Sequence, residues 1–522
     1  MKVQPSRRTY AITLFLILLV CYGYFLPKWA DWGANSRADL VYAVGDKGVL
    51  NIDDYHENTG DKACYPGPYV LETDICNGHY YTDKSLGPSL VALPFYLVFK
   101  AIVAFPPIQN FIQSGRSLGS MGDTLNPDGE GVRPEAVYEL LALTFISFFA
   151  TSVPSAILGV VVFLLAARFA RKNSYAFLLA LMYSLATIAF PYSNVLYQHQ
   201  LAAFGAFVGF YLLWRVIYEN ANRRWLWLVG LLFSLVVITE YPVAIPLGIL
   251  FLWAAVKMPD RFALYRVILG AIPLGLVFAG YNYAIFGTPM PVGYEYSTLW
   301  QDVHQTGFLS ITMPSLATFL GLTVSPFRGL FFLSPILLLG PIGLWFAWKY
   351  KNADRSLLLV ITLVIAFFLL FYASSVMWWG GSTVGPRYLV PMVPFLALPV
   401  IFAFNHWFRS PLNRAVIVIL IAFSFVNVWI QTTGGQAFPP AFTDDGATIT
   451  NPLFQYSLPL FAQGNIARNY GMIAGLRGLL SFIPLIVVVA GIYILVPRWL
   501  GRREERHELK SQGLKQAAGG TD

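Results

Sequence analysis

The sequence predicts an all-α polytopic membrane protein, and three observations predict it. Its 522 residues are 57% hydrophobic and only 12% charged. Apolar runs of about 20 residues, the length that crosses a hydrocarbon core, recur along most of the chain. Aromatics reach 16%, which suits Trp and Tyr anchors at two membrane interfaces. The net charge of +8 is spread over short basic clusters between apolar runs. That is the pattern of positive-inside loops and argues against nucleic-acid binding. Mean hydropathy is +0.59.

The first run, "YAITLFLILLVCYGYFLP", follows "MKVQPSRR" and precedes "KWADW". It is long for a signal peptide and lacks a small-x-small cleavage site, so a retained helix is expected, with the N-terminus in the cytoplasm. Later runs lie near 87–105, 136–170, 174–191, 197–216, 225–239, 242–257, 264–285, 329–348, 355–377, 388–405, 413–431 and 475–497. Basic clusters follow every second helix, at Arg168/Arg171/Lys172, Arg215/Arg223/Arg224, Lys257/Arg261, Lys349/Lys351/Arg355, Arg409/Arg414 and Arg498 to Lys510. The positive-inside rule places these in the cytoplasm and the intervening loops outside. Two cytoplasmic termini need an even number of spans. Splitting 136–170 at Pro154 turns thirteen runs into fourteen. The count moves by one or two if a piece near 87–150 lies in the interface instead. Residues 1–500 read as one transmembrane domain, and 501–522 as a polar tail.

Two outer loops stand out, 28–86 and 432–474. The first holds ten of the chain's 27 acids within 28–84: Asp31, Asp39, Asp46, Asp53, Asp54, Glu57, Asp61, Glu72, Asp74 and Asp83. Aromatics are interleaved with them. "SRADLVYAV" has helical spacing and an apolar face, so amphipathic helices lying on the outer leaflet are expected. Cys64 and Cys76 share this loop and pair if it faces an oxidising compartment; the alternative is two free thiols. A metal site needs more ligands than that pair supplies, and Cys21 reads as inert packing. The late loop carries only Asp444 and Asp445.

Several segments carry a resemblance. "NSRADL", "IDDYHENTGD", "GHYYTDK", "SPFRGLFFLSP" and "WWGGSTVGPRYLVPMVPFL" occur in that order. Together they resemble multi-spanning glycosyltransferases of the GT-C fold, which include protein O-mannosyltransferases and the bacterial lipid A aminoarabinose transferases. The closest likeness is to a bacterial subgroup. The resemblance implies that these 13–14 runs form a GT-C bundle in the bacterial cytoplasmic membrane, with its site facing outward. It implies transfer of a sugar from a polyprenyl-phosphate donor to a lipid, glycan or protein acceptor. A carboxylate of the first outer loop would be the base.

Physical chemistry assigns the roles within that reading. An ionised Asp or Glu suits the acceptor's proton. Where the mannosyl and aminoarabinose branches carry an acidic pair, this chain has Asn35-Ser36-Arg37-Ala38-Asp39. The base is therefore expected at Asp61 or Asp53, with Asp39 behind them. A departing lipid phosphate needs fixed cations. Lys84 matches the family's lysine, with snorkelling as its bland alternative. Arg387, Arg328 and Arg37 are further candidates, with salt bridging as the alternative for Arg387 and Arg328. Asn35, Tyr81, His199 in "YQHQ" and Glu240 in "TEYP" are the other residues expected near substrate. No cofactor is expected; Asp53, Asp54 and Asp61 could ligate a divalent ion, but none is favoured.

Two rival classes predict other patterns. A transporter of lipid-linked substrates puts ionisable residues mid-helix and often shows repeats. Here they avoid helix centres and crowd one loop. An O-antigen ligase or polymerase would place its large outer loop late, where this chain has few acids.

Overall fold

A computed structural model describes residues 5–28, 31–73, 75–113, 137–301, 306–307, 310–351, 353–443 and 446–518. Asp74, Asp444 and Asp445 lie outside the described residues. The chain is an all-α polytopic membrane protein. Seven described helices are long and apolar enough to cross a membrane, or eight if one bent pair forms a single span. Four shorter apolar helices lie among them, Asn173–Leu185, Trp225–Thr239, Tyr241–Lys257 and Pro335–Lys349.

Helix α1 (Arg7–Gly23) starts at Ser6, whose hydroxyl accepts from the Thr9 amide. The first loop then folds as α2 (Trp32–Lys47), a ladder of β1 (Lys62–Tyr65) with β4 (His79–Thr82), and a smaller one of β2 (Tyr69–Val70) with β3 (Ile75–Cys76). A disulfide joins Cys64 to Cys76. Next come α3 (Leu86–Val103), α4 (Pro106–Gln113) and α5 (Tyr138–Phe169). The bundle continues through α6 (Asn173–Leu185), α7 (Gln198–Tyr218), α8 (Trp225–Thr239), α9 (Ala244–Lys257) and α10 (Tyr265–Phe286). Its second half holds α11 (Leu316–Thr323), α12 (Pro335–Lys349), α13 (Arg355–Ala373), the bent pair α14 (Arg387–Ala397) and α15 (Val400–Trp407), α16 (Pro411–Thr433) and α17 (Ile483–Ala518).

Two expectations need correction. The run 136–170 is not split at Pro154; α5 is one helix of 32 residues. A π-turn at Phe148–Ser152 precedes Pro154, and the proline falls in the first turn after it. The wider turn absorbs the intrahelical bond that proline cannot make. The second correction concerns α2, which is covered by protein and does not expose one polar face. Every residue from Gly33 to Ala43 is buried, because α3, the first turns of α5 and the β1–β4 ladder cover it on several sides.

Contacts show which ends of the helices share a level. Gly23 packs on Phe148, Leu18 on Gly159, and the Tyr10 and Phe163 rings lie 6.0 Å apart. So α1 runs antiparallel to the second half of α5, and the first turns of α5 project beyond α1. There α3 meets them, with Phe99 ring centroids 5.4 Å from Tyr138 and 5.6 Å from Phe145. Helix α2 lies parallel to α3, tied by Ser89 to the Arg37 carbonyl and by Lys100 to the Gly45 carbonyl. Thus α3, long and apolar enough to cross a membrane, packs with the loop helix and the projecting part of α5.

The basic clusters gather at the opposite end. Arg168 and Arg215 both pair with Glu219, Arg223 with Asp260, and Lys257 with Asp354. Alternating helices therefore carry basic residues at one end and the first loop at the other.

Candidate active site

The site forms where the first loop closes on the ends of α7, α8, α13 and α14. Its centre is Lys84, one residue after Asp83 and just ahead of α3. The ammonium lies 3.2 Å from Asp61 Oδ2 and 3.1 Å from Asp83 Oδ1. Asp61 is held from three sides. Its Oδ1 accepts from Trp300 Nε1 at 3.0 Å, its carbonyl from Ser36 Oγ at 2.6 Å, and its amide donates to Thr59 Oγ1. Asp83 Oδ2 accepts from Ser297 Oγ at 2.8 Å, and the Tyr294 ring stands 5.9 Å from Lys84 Nζ. The segment from Tyr294 to Trp300 thus straps over the lysine and both carboxylates.

Arg37 and Arg387 meet on the Tyr197 ring, 5.6 and 5.4 Å from its centroid. Arg37 donates to the Gly33 carbonyl and to Gln198 Oε1, leaving its buried Nε without a partner among the described residues. Arg387 reaches the Tyr197 hydroxyl at 3.4 Å, and its Nε is likewise buried without a hydrogen bond. The Tyr197 hydroxyl donates to Asp31, which also caps α2. Gly33 explains how the groups come so close. A Cβ there would stand 2.9 Å from the Tyr197 ring, 3.4 Å from Arg37 Nη1 and 3.5 Å from Asp61 Oδ2.

The charges lean positive. Burial raises Asp31 and Asp83 above the usual carboxylate range, which disfavours their anionic forms. Burial pulls Asp61 the same way, but Lys84, the Trp300 hydrogen bond and Arg387 outweigh it and hold the carboxyl below that range. Burial would lower Lys84; Asp61 and Asp83 outweigh it and keep the amine raised. One loop carboxylate, held toward its anionic form, thus stands among Lys84, Arg37 and Arg387.

Other expected residues sort by geometry. Glu240 joins His199, Oε2 to Nδ1 at 3.1 Å, and accepts from the Tyr372 hydroxyl at 3.2 Å. His199 is fully buried, with T-shaped contacts to Tyr197 and Tyr388, which puts it beside the arginine pair. Asp53 is elsewhere: it pairs with His79 at 2.6 Å and caps the Tyr80 amide at 2.7 Å, on the outer side of the ladder. Asp39 faces away from Arg37, accepting from Asn58 Nδ2 at 3.0 Å. Asn35 is on that same face and donates to the Asn58 carbonyl. Tyr81 packs with Phe286, and Tyr294 takes the place beside Lys84. Arg328 Nη2 donates to the Gly381 and Pro439 carbonyls at 2.9 and 3.3 Å, while its Nε and Nη1 are buried without a partner among the described residues.

Asp53, Asp54 and Asp61 have three separate partners, His79, Lys47 and Lys84. Among the described residues no three of His, Cys, Asp or Glu group as a metal ion would require. Sequence reasoning missed Asp31, Tyr197, Gln198, Tyr294, Trp300 and Tyr372. Asp31 and Asp83 were visible only as members of the acid cluster, and no local signal marks the strap. Compared with known protein families and with curated proteins, the chain matches none.

Proposed function

We propose that this protein is a membrane glycosyltransferase. It moves a sugar from a polyprenyl-phosphate donor to an acceptor hydroxyl on the extracytoplasmic side of a bacterial inner membrane. The GT-C resemblance supplies the reaction class. The observation that carries the reading is Lys84, buried between Asp61 and Asp83, next to Arg37 and Arg387 with unfilled donors. A lipid phosphate gains charge as the anomeric bond breaks, and preorganised cations stabilise that charge where water is excluded. The Cys64–Cys76 disulfide suits a loop in an oxidising compartment.

Among the loop aspartates the base narrows to Asp61, the one beside the lysine. It takes the acceptor's proton as the new bond to the anomeric carbon forms, and the phosphate departs with the electron pair. The test is transfer from a radiolabelled polyprenyl-phosphate sugar in membranes holding the full chain. Wild-type protein should transfer the sugar, and Lys84→Ala should transfer it far more slowly. If the purified protein carries a lipid-linked substrate across vesicles with no transfer, the protein is a transporter.

A further inference from the structure

His199 is fully buried, and among the described residues only one of its ring nitrogens has a partner. It is the second residue of α7, and Glu240 follows the last turn of α8. Nδ1 stands 3.1 Å from Glu240 Oε2. An ionised carboxylate only accepts, so Nδ1 carries a hydrogen and Nε2 is the nitrogen left to gain or lose one.

The pair is built into the aromatic clamp around Arg387. The guanidinium carbon lies 5.4 Å from the Tyr197 centroid and 5.3 Å from that of Tyr388. The His199 ring meets both of those rings edge to face, at 6.0 and 5.5 Å. Tyr372, whose hydroxyl donates to Glu240 Oε1 at 3.2 Å, stacks on Tyr388 with centroids 5.0 Å apart. Glu240 thus fixes, through His199 and Tyr372, both rings that carry Arg387.

The groups facing the imidazole come from every element around it. Glu240 reaches it from α8, Arg387 and Tyr388 from α14, and Arg37 from α2. Tyr192 and Tyr197 precede α7, with Tyr197 bonded to Asp31, and Tyr372 comes from α13 by way of Glu240. Burial penalises a charge on the ring, Glu240 attracts it, and Arg387 and Arg37 repel it. A phosphate settling on the arginines cancels the repulsion and leaves the attraction. The ring then gains a proton, which adds a cation where the phosphate's charge grows.

We propose that His199 is a positioning residue of the transfer site, holding Arg387 through Tyr197 and Tyr388 and taking up a proton when an anionic phosphodiester binds. This rests on the reading of the cluster as a donor-phosphate site. The proton is drawn from solvent on binding and returns to it when the lipid phosphate leaves.

The test is calorimetry of the full chain in detergent with undecaprenyl methyl phosphate, a diester whose own charge is fixed across the neutral range. Titrations at about pH 7 in two buffers of different ionisation enthalpy report the protons exchanged on binding. Wild-type protein should take up a fraction of a proton, and its affinity should fall as pH rises, by up to ~10-fold per unit. His199→Gln keeps a polar group near the Nε2 position and cannot titrate, so it should bind with no uptake and a flat profile. Its deficit against wild type should be largest at the acid end and close toward the alkaline end, which a packing defect would not do. Glu240→Gln keeps an acceptor for Tyr372 and should shrink the uptake, because the attraction on the ring is gone. Binding by wild-type protein without proton uptake would overturn the proposal, and that measurement needs no variant. An uptake that His199→Gln leaves intact would also overturn it, by assigning the proton to Asp31 or Asp83. If the diester does not bind wild-type protein at all, the donor-phosphate reading falls, and the proposal with it.

Discussion

The two faces of α2 make a natural comparison, because both carry charge and both are buried. One presents Gly33, Ser36 and Arg37 to Asp61 and Tyr197. The other presents Asn35 and Asp39 to Asn58, with Glu139 near enough to Asp39 to act on it electrostatically. Asp61 has a lysine at 3.2 Å and is held ionised. Among the described residues Asp39 has no cation and its Oδ2 is buried without a hydrogen bond, and burial followed by Glu139 drives it well above the usual carboxylate range. The difference teaches that counting acids does not locate a base. A buried carboxylate stays anionic only where a cation or donors accompany it.

The largest effect that could break this comparison is at Asp61. Asp61→Asn keeps the shape but cannot take a proton, so transfer should fall ~100- to 10,000-fold with donor binding retained. Asp39→Asn in the same assay should transfer at the wild-type rate. If the two variants exchange those outcomes, the faces have been assigned the wrong way round.

Lys84→Ala comes next. Loss of one preorganised donor to the phosphate should lower turnover ~100- to 1,000-fold and weaken donor binding together with it. It also strands Asp61 and Asp83 as buried carboxylates, so thermal unfolding should reveal a lost ~3–5 kcal/mol. The linkage has a sign. The stability Asp61 adds through its depressed value is present above the ordinary carboxylate range and is lost as pH falls through the folded value. In Lys84→Ala that acid-side loss should shrink.

The same contrast shows how much was legible in the sequence. Lys84, Asp61, Arg37 and Arg387 stand in segments with a recognisable order, and the structure brings all four into one cluster. Alternation of basic clusters with apolar runs foretold that Arg168, Arg215 and Lys257 share one end of the bundle. What stayed hidden depended on contacts between distant residues. Trp300 lies 239 positions from Asp61, and nothing local marks it as a ligand of that carboxylate. Pro154 was readable as a helix breaker, but the π-turn that spares the helix is a tertiary choice. Asp53 and Asp61 look alike in sequence, and only strand pairing sends one to His79 and the other to Lys84.

Of the changes aimed at stability alone, cutting the Cys64–Cys76 bond should matter most. The bond closes a short loop, with a sequence separation of 12. A loop of that size is worth ~3 kcal/mol in the chain-entropy account. The Cys64→Ser/Cys76→Ser double variant should melt earlier by a corresponding amount, because β1 carries the chain from Asp61 to the hairpin. A melting temperature unchanged under non-reducing conditions would mean the bond does not brace the loop.

Asp39→Asn should raise stability where Asp39 costs it. A carboxyl raised on folding binds more protons folded than unfolded, so stability falls as pH climbs from its ordinary value toward the folded one. Asparagine retains the acceptor for Asn58 and needs no proton to be buried neutral. A gain of ~1–3 kcal/mol is expected at neutral pH, shrinking to nothing near pH 4. Thermal unfolding at several pH values would register it, and a pH-independent difference would show that packing, not charge, sets the effect.

The smallest effect is expected at Asp53, which was the other leading aspartate for the base. It sits on the outer side of the ladder, its side chain 36% exposed, paired with a His79 that is itself 55% exposed. Exposed pairs contribute little once water and salt screen them, ~0–1 kcal/mol. The Tyr80 amide still finds an acceptor in asparagine, so Asp53→Asn should cost less than that full amount. It should also transfer sugar at the wild-type rate, since the ladder separates it from Lys84. Any loss of turnover as deep as that of Asp61→Asn would place the reaction on the other side of the ladder, and the cluster around Tyr197 would then be the structural region and not the catalytic one.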